Sequence, residues 1–139
     1  MKTILKVFFL VIIVLLFSCE ELGTLIVNCS DCITVEPLNA KMEIMINSGN
    51  HCPVYLNIYE GDIGDSVLYS SFVTCASETM KMVPLNKKYT VSATYYINGV
   101  KYISVDSTTP RVKFEEVQCK EPCYYIYNRR INLRLKTVK

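Results

Sequence analysis

The sequence has few of the side chains on which common enzyme mechanisms depend. It contains a single histidine, His51, and no tryptophan. His51 stands beside Cys52 in a predicted loop, and a Cys–His nucleophile needs a free thiolate, which a cysteine held in a disulfide does not provide. No Gly-x-Ser-x-Gly, P-loop or His-Glu-x-x-His motif occurs. We therefore expect a protein that is not an enzyme, with no catalytic residue, no metal site and no cofactor.

The chain also lacks an apolar run long enough to cross a bilayer as a helix. The run from Val7 to Phe17 has 11 residues and would measure about 17 Å as a helix, against a hydrocarbon core of about 30 Å. With Lys2 and Lys6 ahead of it, the run has the form of the apolar part of a secretory signal. Residues 1–18 are therefore predicted to be a cleaved signal peptide.

The end of this run resembles the lipobox of bacterial lipoproteins. The residues from Leu16 to Cys19, LFSC, place an aliphatic residue, a variable one and a small one before a cysteine. In that family the cysteine is diacylated on sulfur with palmitate-type chains, the leader is cut before it, and the new N-terminus is acylated. The resemblance implies lipidation of Cys19 and a membrane partner, because two or three acyl chains anchor a protein firmly.

Two acidic residues, Glu20 and Glu21, follow the cysteine directly. In Bacteroidota-type lipoproteins, acidic residues at this place resemble a signal for export to the outer leaflet of the outer membrane. The resemblance implies an outer-membrane lipoprotein of the bacterial cell envelope, and the sequence leaves open whether it lies in the inner leaflet or is displayed at the surface. Residues 19–38 are interpreted as the lipidated N-terminus and a tether.

The mature part lacks a charge excess of either sign. Two of the 15 basic residues, Lys2 and Lys6, leave with the leader, so 13 basic residues remain against 13 acidic ones. A nucleic-acid partner would require a basic excess, and none is expected. Residues 19–80 hold nine acids and one base, and residues 81–139 hold four acids and twelve bases. We expect the two halves to pair within one domain.

Cysteine is the abundant reactive residue. The chain has seven, and six remain once Cys19 is assigned to lipid, an even number that predicts disulfide bonds in an exported protein. Cys52 precedes one predicted strand and Cys75 follows the next, so both lie at the open end of one hairpin and are predicted to pair. Cys29 and Cys32 are then predicted to form two disulfides with Cys119 and Cys123. The sequence leaves open which cysteine pairs with which.

The same four cysteines carry an alternative function. They form one Cys-x2-Cys and one Cys-x3-Cys pair, and four thiolates can hold zinc tetrahedrally. An envelope thiol-redox or metal-binding protein would use these residues. No βαβ pattern surrounds the first pair, and an exported chain meets oxidising conditions, so disulfides are favoured.

The apolar pattern predicts strands throughout residues 39–139. No segment keeps an apolar period of 3.6 residues, whereas short stretches alternate between apolar and polar residues. We predict an all-β protein, an antiparallel sandwich of seven or eight strands. The nine residues VPLNKKYTV, from Val83 to Val91, resemble the leucine–turn–tyrosine signature of prealbumin-like and fibronectin-like sandwiches. This resemblance implies an immunoglobulin/prealbumin-like fold in which Leu85 caps the core and Tyr89 forms a tyrosine corner.

Two hairpins follow from this pattern. A central hairpin turns at Asn98-Gly99, and a three-residue loop there would set Ala93 opposite Ile103, with apolar side chains collected on one face. A buried face selects such a register, so it is preferred over the two-residue loop, which pairs Ala93 with Ser104. Residues 123–127 and 131–136 are predicted to form a closing hairpin.

Tyrosine is enriched, with ten residues, and two short motifs resemble modification sites. Exposed tyrosines can stack on sugar rings or anchor a protein partner. The candidate binding residues are Tyr95, Tyr96, Tyr102, Tyr124, Tyr125 and Tyr127.

Asp-Ser-Val and Asp-Ser-Thr resemble the O-glycosylation motif of Bacteroidota and make Ser66 and Ser107 candidate sites. The expected function is adhesion, or recognition of a glycan or envelope protein.

Overall fold

The computed structural model describes residues 26–136 apart from residues 48 and 50, so the predicted leader and Cys19 lie outside the described residues. The described chain is almost entirely β-structure in mainly antiparallel sheets, which confirms the predicted all-β sandwich. It forms nine strands, more than the seven or eight predicted. In chain order they are β1 (Asn39–Met45), β2 (Val54–Glu60), β3 (Leu68–Thr74), β4 (Glu78–Pro84), β5 (Tyr89–Ile97), β6 (Val100–Thr108), β7 (Arg111–Glu115), β8 (Cys123–Tyr127) and β9 (Arg130–Asn132).

The strands form two packed sheets and a separate ribbon. One sheet has the order β3-β2-β5-β6 and the other the order β4-β1-β9. Taken from β6 to β3, the larger sheet follows the G-F-C-C′ order of an immunoglobulin variable-type sheet. β9 lies beside β1 in parallel. β7 and β8 form a two-stranded ribbon outside both sheets.

Alternating side chains place the core between the two sheets. β1 and β2 each bury every second residue and leave the residues between them wholly or partly exposed. Burying one large aliphatic side chain contributes roughly 1.5–3 kcal/mol. The largest fully buried side chains include Tyr89, Tyr95, Met42, Ile44, Ile46, Leu56, Ile58, Ile131 and Leu133.

The predicted tyrosine corner is present at the start of β5. Tyr89 is fully buried, and its hydroxyl donates to the carbonyl oxygen of Pro84 at 3.2 Å. Burial raises the pKa of Tyr89 to about 12, with further contributions from the nearby Glu60 and Tyr69. Leu85 is buried as well, as the resemblance implied. The turn before β5 is thereby fixed to the core.

The predicted register of the central hairpin is wrong. β5 and β6 are joined by a two-residue loop, and Ala93 faces Ser104 rather than Ile103. Asn98 and Gly99 have φ values of 51° and 77°, and two successive positive φ angles are the requirement of a type I′ turn. The turn, and not the collection of apolar residues on one face, decides the register.

The structure also shows why polar residues of β6 are tolerated on the inner side. β6 is the edge strand of its sheet, and it lies close to β9, the edge strand of the other sheet. There Asp106 Oδ2 accepts the backbone N–H of Asn132 at 2.9 Å. Ile103 and Val105 consequently point outward and are more than half exposed.

The predicted closing hairpin between residues 123–127 and 131–136 is wrong too. β8 pairs with β7, and β9 leaves to join β1. Glu43 on β1 pairs with Arg130 at 2.7 Å and with Arg129 at 3.3 Å, which stabilises β9 in that position.

Ion pairs join the acidic and basic halves of the chain, as expected. Of the five ion pairs among the described residues, four link an acid from residues 19–80 to a base from residues 81–139. Lys87 with Glu60 and Lys88 with Asp62 tie the loop after β2 to the turn before β5. The acidic and basic halves of the sequence therefore meet within one domain, through three of the acids and four of the bases.

Three disulfide bonds link the described cysteines. Cys52 and Cys75, with Cα atoms 5.0 Å apart, close the β2–β3 hairpin as predicted, and this bond is called the hairpin disulfide below. Two further bonds, called the ribbon disulfides, hold the segment before β1 against the ribbon and give the order that the sequence left open. They are Cys29–Cys119 and Cys32–Cys123, with Cα atoms 5.6 and 5.4 Å apart, within the usual range for a disulfide.

Candidate functional site

The six tyrosines predicted as a binding surface do not form one. Tyr95 is fully buried, and its hydroxyl donates to the carbonyl oxygen of Leu133 at 3.0 Å and accepts the N–H of Asn47 at 3.3 Å. Burial raises the pKa of Tyr95. Tyr102 lies opposite Tyr95 on the same inner side and packs against the core. The prediction of Tyr95 as a binding residue is therefore wrong, because the alternation of β5 turns it inward, and the partly buried Tyr102 lies on the same inner side.

Tyr96 belongs to a different surface with a partner that the prediction omitted. It lies on the outer face of the larger sheet and is 55% exposed. Its ring meets that of Tyr55 on β2, 45% exposed, edge to face with centroids 6.0 Å apart. Tyr55 alternates along β2 with the apolar Val54 and Leu56, so its outward direction can be inferred from the sequence pattern.

Apolar residues extend the pair across the whole sheet. Val73 on β3 lies beside Tyr55, Thr94 on β5 lies on its other side, and Ile103 on β6 follows Thr94. Residues directly opposite on adjacent strands project from the same face. Val105 continues the apolar surface along β6. We call the exposed set the tyrosine face: Tyr55, Tyr96, Val73, Ile103 and Val105.

The tyrosine face exists because the hairpin register differs from the predicted one. With the two-residue loop, Ile103 and Val105 turn to solvent at exposures of 56% and 51%. Sequence reasoning placed both inside, since apolar side chains were assumed to follow the core. An exposed apolar patch rimmed by polar residues is typical of an interaction site.

The tyrosines near the C-terminal end lie on the ribbon, far along the chain from the tyrosine face. Tyr124 pairs with Phe114, and their ring centroids are 5.0 Å apart. Tyr125 and Tyr127, one and three residues further on, alternate to the opposite side of β8 and lie opposite Lys113 and Arg111. All three tyrosines are half-buried. They form two small clusters rather than a stacking platform.

The four ribbon cysteines converge at a cleft. Its volume is about 630 Å³, and it lies between the ribbon loop and the segment before β1. The Sγ atoms of Cys32 and Cys119, which belong to different disulfides, are 3.7 Å apart. The sulfurs of Cys32, Cys119 and Cys123 all lie within 4.8 Å of one another. Oxidised sulfurs are not thiolates, so the arrangement as it stands neither attacks a substrate nor ligates a metal.

The candidate glycosylation sites are accessible. Ser66 follows the short 3-10 turn Ile63–Asp65, and Ser107 lies on β6; both are exposed. Ser107 makes a local hydrogen bond to its neighbour: its backbone N–H donates to Asp106 Oδ1 at 2.8 Å. Exposure is a requirement for modification at these positions, which stays a prediction.

His51 does not combine with a nucleophile. It is half-buried in the turn before Cys52, whose sulfur is bonded to Cys75.

Across residues 26–136, leaving out 48 and 50, no helix has the length and apolar character needed to cross a bilayer.

The comparisons with known proteins add no assignment. No protein-family model matches the chain, and no curated protein or solved structure is significantly similar to it.

Proposed function

We propose that this chain is a lipid-anchored protein of the bacterial cell envelope that recognises a partner protein through the tyrosine face and has no enzymatic role. The lipobox at Cys19 and the three disulfides support delivery to an oxidising compartment. The observation that carries the binding role is the set of exposed aromatic and aliphatic side chains on the outer face of the larger sheet, with the half-buried Thr94 between Tyr55 and Ile103.

The composition of the tyrosine face favours a protein over a glycan. The Tyr55 and Tyr96 rings stand at 87° to each other, so they do not offer two parallel platforms for sugar rings. The other members of the face are aliphatic, and the charged side chain beside them is Lys101, which lies opposite Tyr96 on the edge strand β6. The centres of protein interfaces are enriched in tyrosine and depleted in charge, and a rigid tyrosine pair is a typical anchor.

The test is a comparison of two surface variants in the native envelope. Tyr55→Ser with Tyr96→Ser removes the aromatic pair. The matched control is Met80→Ser with Met82→Ser, which removes two similarly exposed apolar side chains from the outer face of the smaller sheet. Each protein is extracted from membranes in a mild detergent, and its assembly size is measured by native electrophoresis.

We expect the wild type and the methionine control to migrate in an assembly larger than the monomer, and the tyrosine variant to migrate as the monomer. A wild type that is monomeric, or a tyrosine variant that keeps the assembly, would refute the proposal. Loss of binding on a glycan array in the tyrosine variant, with assembly size unchanged, would assign the face to a glycan instead. Absence of acyl chains from the intact mass of the native protein would refute the anchor.

A second candidate function is thiol redox or metal binding at the ribbon cysteines. The 3.7 Å approach of Cys32 Sγ to Cys119 Sγ favours it, because sulfurs bound to one zinc ion at about 2.3 Å each lie about 3.8 Å apart in a tetrahedron. This function requires reduction of both ribbon disulfides first. Thiol titration of the native protein, denatured without reductant, separates the candidates: reactive thiols at these positions favour the redox function, and their absence excludes it.

A further inference from the structure

The segment before β1 enters the fold at the far end of the ribbon. The backbone N–H of Val27 donates to Gln118 Oε1 at 3.1 Å, and Gln118 lies in the loop that joins β7 to β8. β7 follows β6, and β8 leads into β9, so the ribbon is joined to the sandwich at its other end. The two ribbon strands pack mainly on each other rather than on the sandwich strands. The loop end is therefore a projecting tip.

Apolar side chains are exposed at this tip and along one face of the ribbon. At the tip, Ile26 is 86% exposed and Val117 is 90% exposed. Along the face, Ile33 exchanges backbone hydrogen bonds of 3.0 and 2.8 Å with Tyr124, which in turn pairs with Phe114. These three side chains therefore project together. We call the five residues the ribbon patch: Ile26, Val117, Ile33, Tyr124 and Phe114.

The opposite side of the ribbon is built differently. It carries the buried Cys123 and the buried Glu115, whose carboxylate pairs with Lys113 at 2.9 Å. This side of the ribbon thus combines a crosslinked cysteine and an ion pair with the half-buried Tyr125 and Tyr127, whereas the other side presents Ile33, Phe114 and the half-buried Tyr124. The tip loop carries Glu116 and Glu121 against Lys120, so acidic residues exceed basic ones there by one.

The length of the chain outside the described residues limits what can cover the ribbon patch. Ile26 stands seven residues after Cys19, and seven residues reach at most about 25 Å when fully extended. Whatever path they take, an acylated Cys19 keeps the ribbon tip within that distance of the bilayer. The sandwich lies beyond the ribbon, which adds about 17 Å for five residues of strand.

Resting on the proposed lipid anchor, we propose that the ribbon patch docks on the phospholipid interface of the membrane and holds the sandwich away from it, with the tyrosine face free for its partner. Aromatic residues with one polar end, such as Tyr124, favour the boundary between headgroups and acyl chains. Apolar side chains of an interfacial element enter that boundary by about 5–10 Å. The small acidic excess of the tip loop fits a zwitterionic surface rather than a strongly anionic one, which attracts basic segments.

The absence of tryptophan from the chain makes a direct test possible, because one introduced tryptophan is the only one. The variants are Phe114→Trp and Val117→Trp on the ribbon patch, and Met80→Trp as the control on the outer face of the smaller sheet. Val117 is almost fully exposed and tolerates the change even if Phe114 does not. Each acylated protein is purified from membranes and reconstituted into phosphatidylcholine vesicles that contain bromine-labelled phosphatidylcholine.

We expect both ribbon tryptophans to lose most of their emission to bromine quenching and to shift to shorter wavelength, and Met80→Trp to keep its emission. Equal emission at all three sites in acylated protein that floats with the vesicles would overturn the membrane docking alone. A blue shift at the ribbon without quenching would overturn it as well, since another protein copy would then cover the patch. A protein without acyl chains would overturn the anchor and the docking together.

Discussion

Tyr95 offers the sharpest test of the architecture, because one hydroxyl joins the end of β1 to the chain that follows β9. It donates to the Leu133 carbonyl and accepts from the Asn47 N–H, and the ring is fully buried. In Tyr95→Phe both backbone groups lose this partner while the ring remains. A buried polar group left without its partner costs about 1–3 kcal/mol, so the variant should lose about 2 kcal/mol of unfolding free energy.

The matched control is its neighbour on the same strand. Tyr96→Phe removes the same atom from an exposed ring and should change stability by less than about 0.5 kcal/mol. Urea unfolding followed by circular dichroism, with disulfides intact, gives both values if the slopes agree. A loss of 2 kcal/mol corresponds to about 8 °C in Tm for a domain of this size. Equal midpoints for the two variants would refute the inward placement of Tyr95 and the docking of residues 133–135.

Three further outcomes follow from the crosslinks, the ribbon carboxylate and the tyrosine corner. Removing the hairpin disulfide, with a sequence separation of 23 residues, should lower the free energy of unfolding by about 3 kcal/mol. Replacing both cysteines of one ribbon disulfide should lower it by less in the same urea assay, because the other ribbon disulfide still closes a loop of similar length. A larger loss from the ribbon variant would contradict this prediction. The hydrogen bond from Lys113, followed by those from the N–H groups of Gln118 and Val117, lowers the pKa of Glu115 from 4.5 to about 2. A lowered folded-state pKa contributes stability that is present above pH 4.5 and is lost as the pH falls towards 2, so Glu115→Gln should flatten that part of the urea-midpoint curve, and an unchanged curve would argue against the pairing. Tyr89→Phe should lose about 1 kcal/mol with its bond to Pro84, while Tyr59→Phe, half-exposed on the other side of the sheet, should not, as differential scanning calorimetry would show.

Local chemistry was sufficient for the parts of the fold that depend on neighbours in sequence. The alternation of apolar and polar residues is sufficient to identify the inward-facing residues of β1 and β2. The leucine–turn–tyrosine signature predicted the tyrosine corner at Tyr89. The hairpin disulfide followed from the positions of its cysteines at the ends of two adjacent strands. In each case the residues concerned lie close along the chain or share a strand, so period and turn residues specify their arrangement.

Long-range choices could not be made in this way. The sequence could not show that β9 lies beside β1, because that pairing depends on Glu43 meeting Arg129 and Arg130 across more than 80 residues. Nor could the sequence alone show which of the two candidate binding residues Tyr95 and Tyr96 points inward, because it does not show which side of β5 faces the core. The same reasoning failed at β6, where the positive φ angles of Asn98 and Gly99 set a register that leaves Ile103 outside.

By itself, the sequence determined the class of structure, the even set of six cysteines available for crosslinks and the expectation of a lipid anchor at Cys19, because each depends on composition or on a contiguous motif. Only the tertiary structure decided which apolar side chains remain in water. The tyrosine face and the ribbon patch each bring together residues that are distant in the chain, and the exposure of a side chain is a property of its packed neighbours rather than of its own polarity.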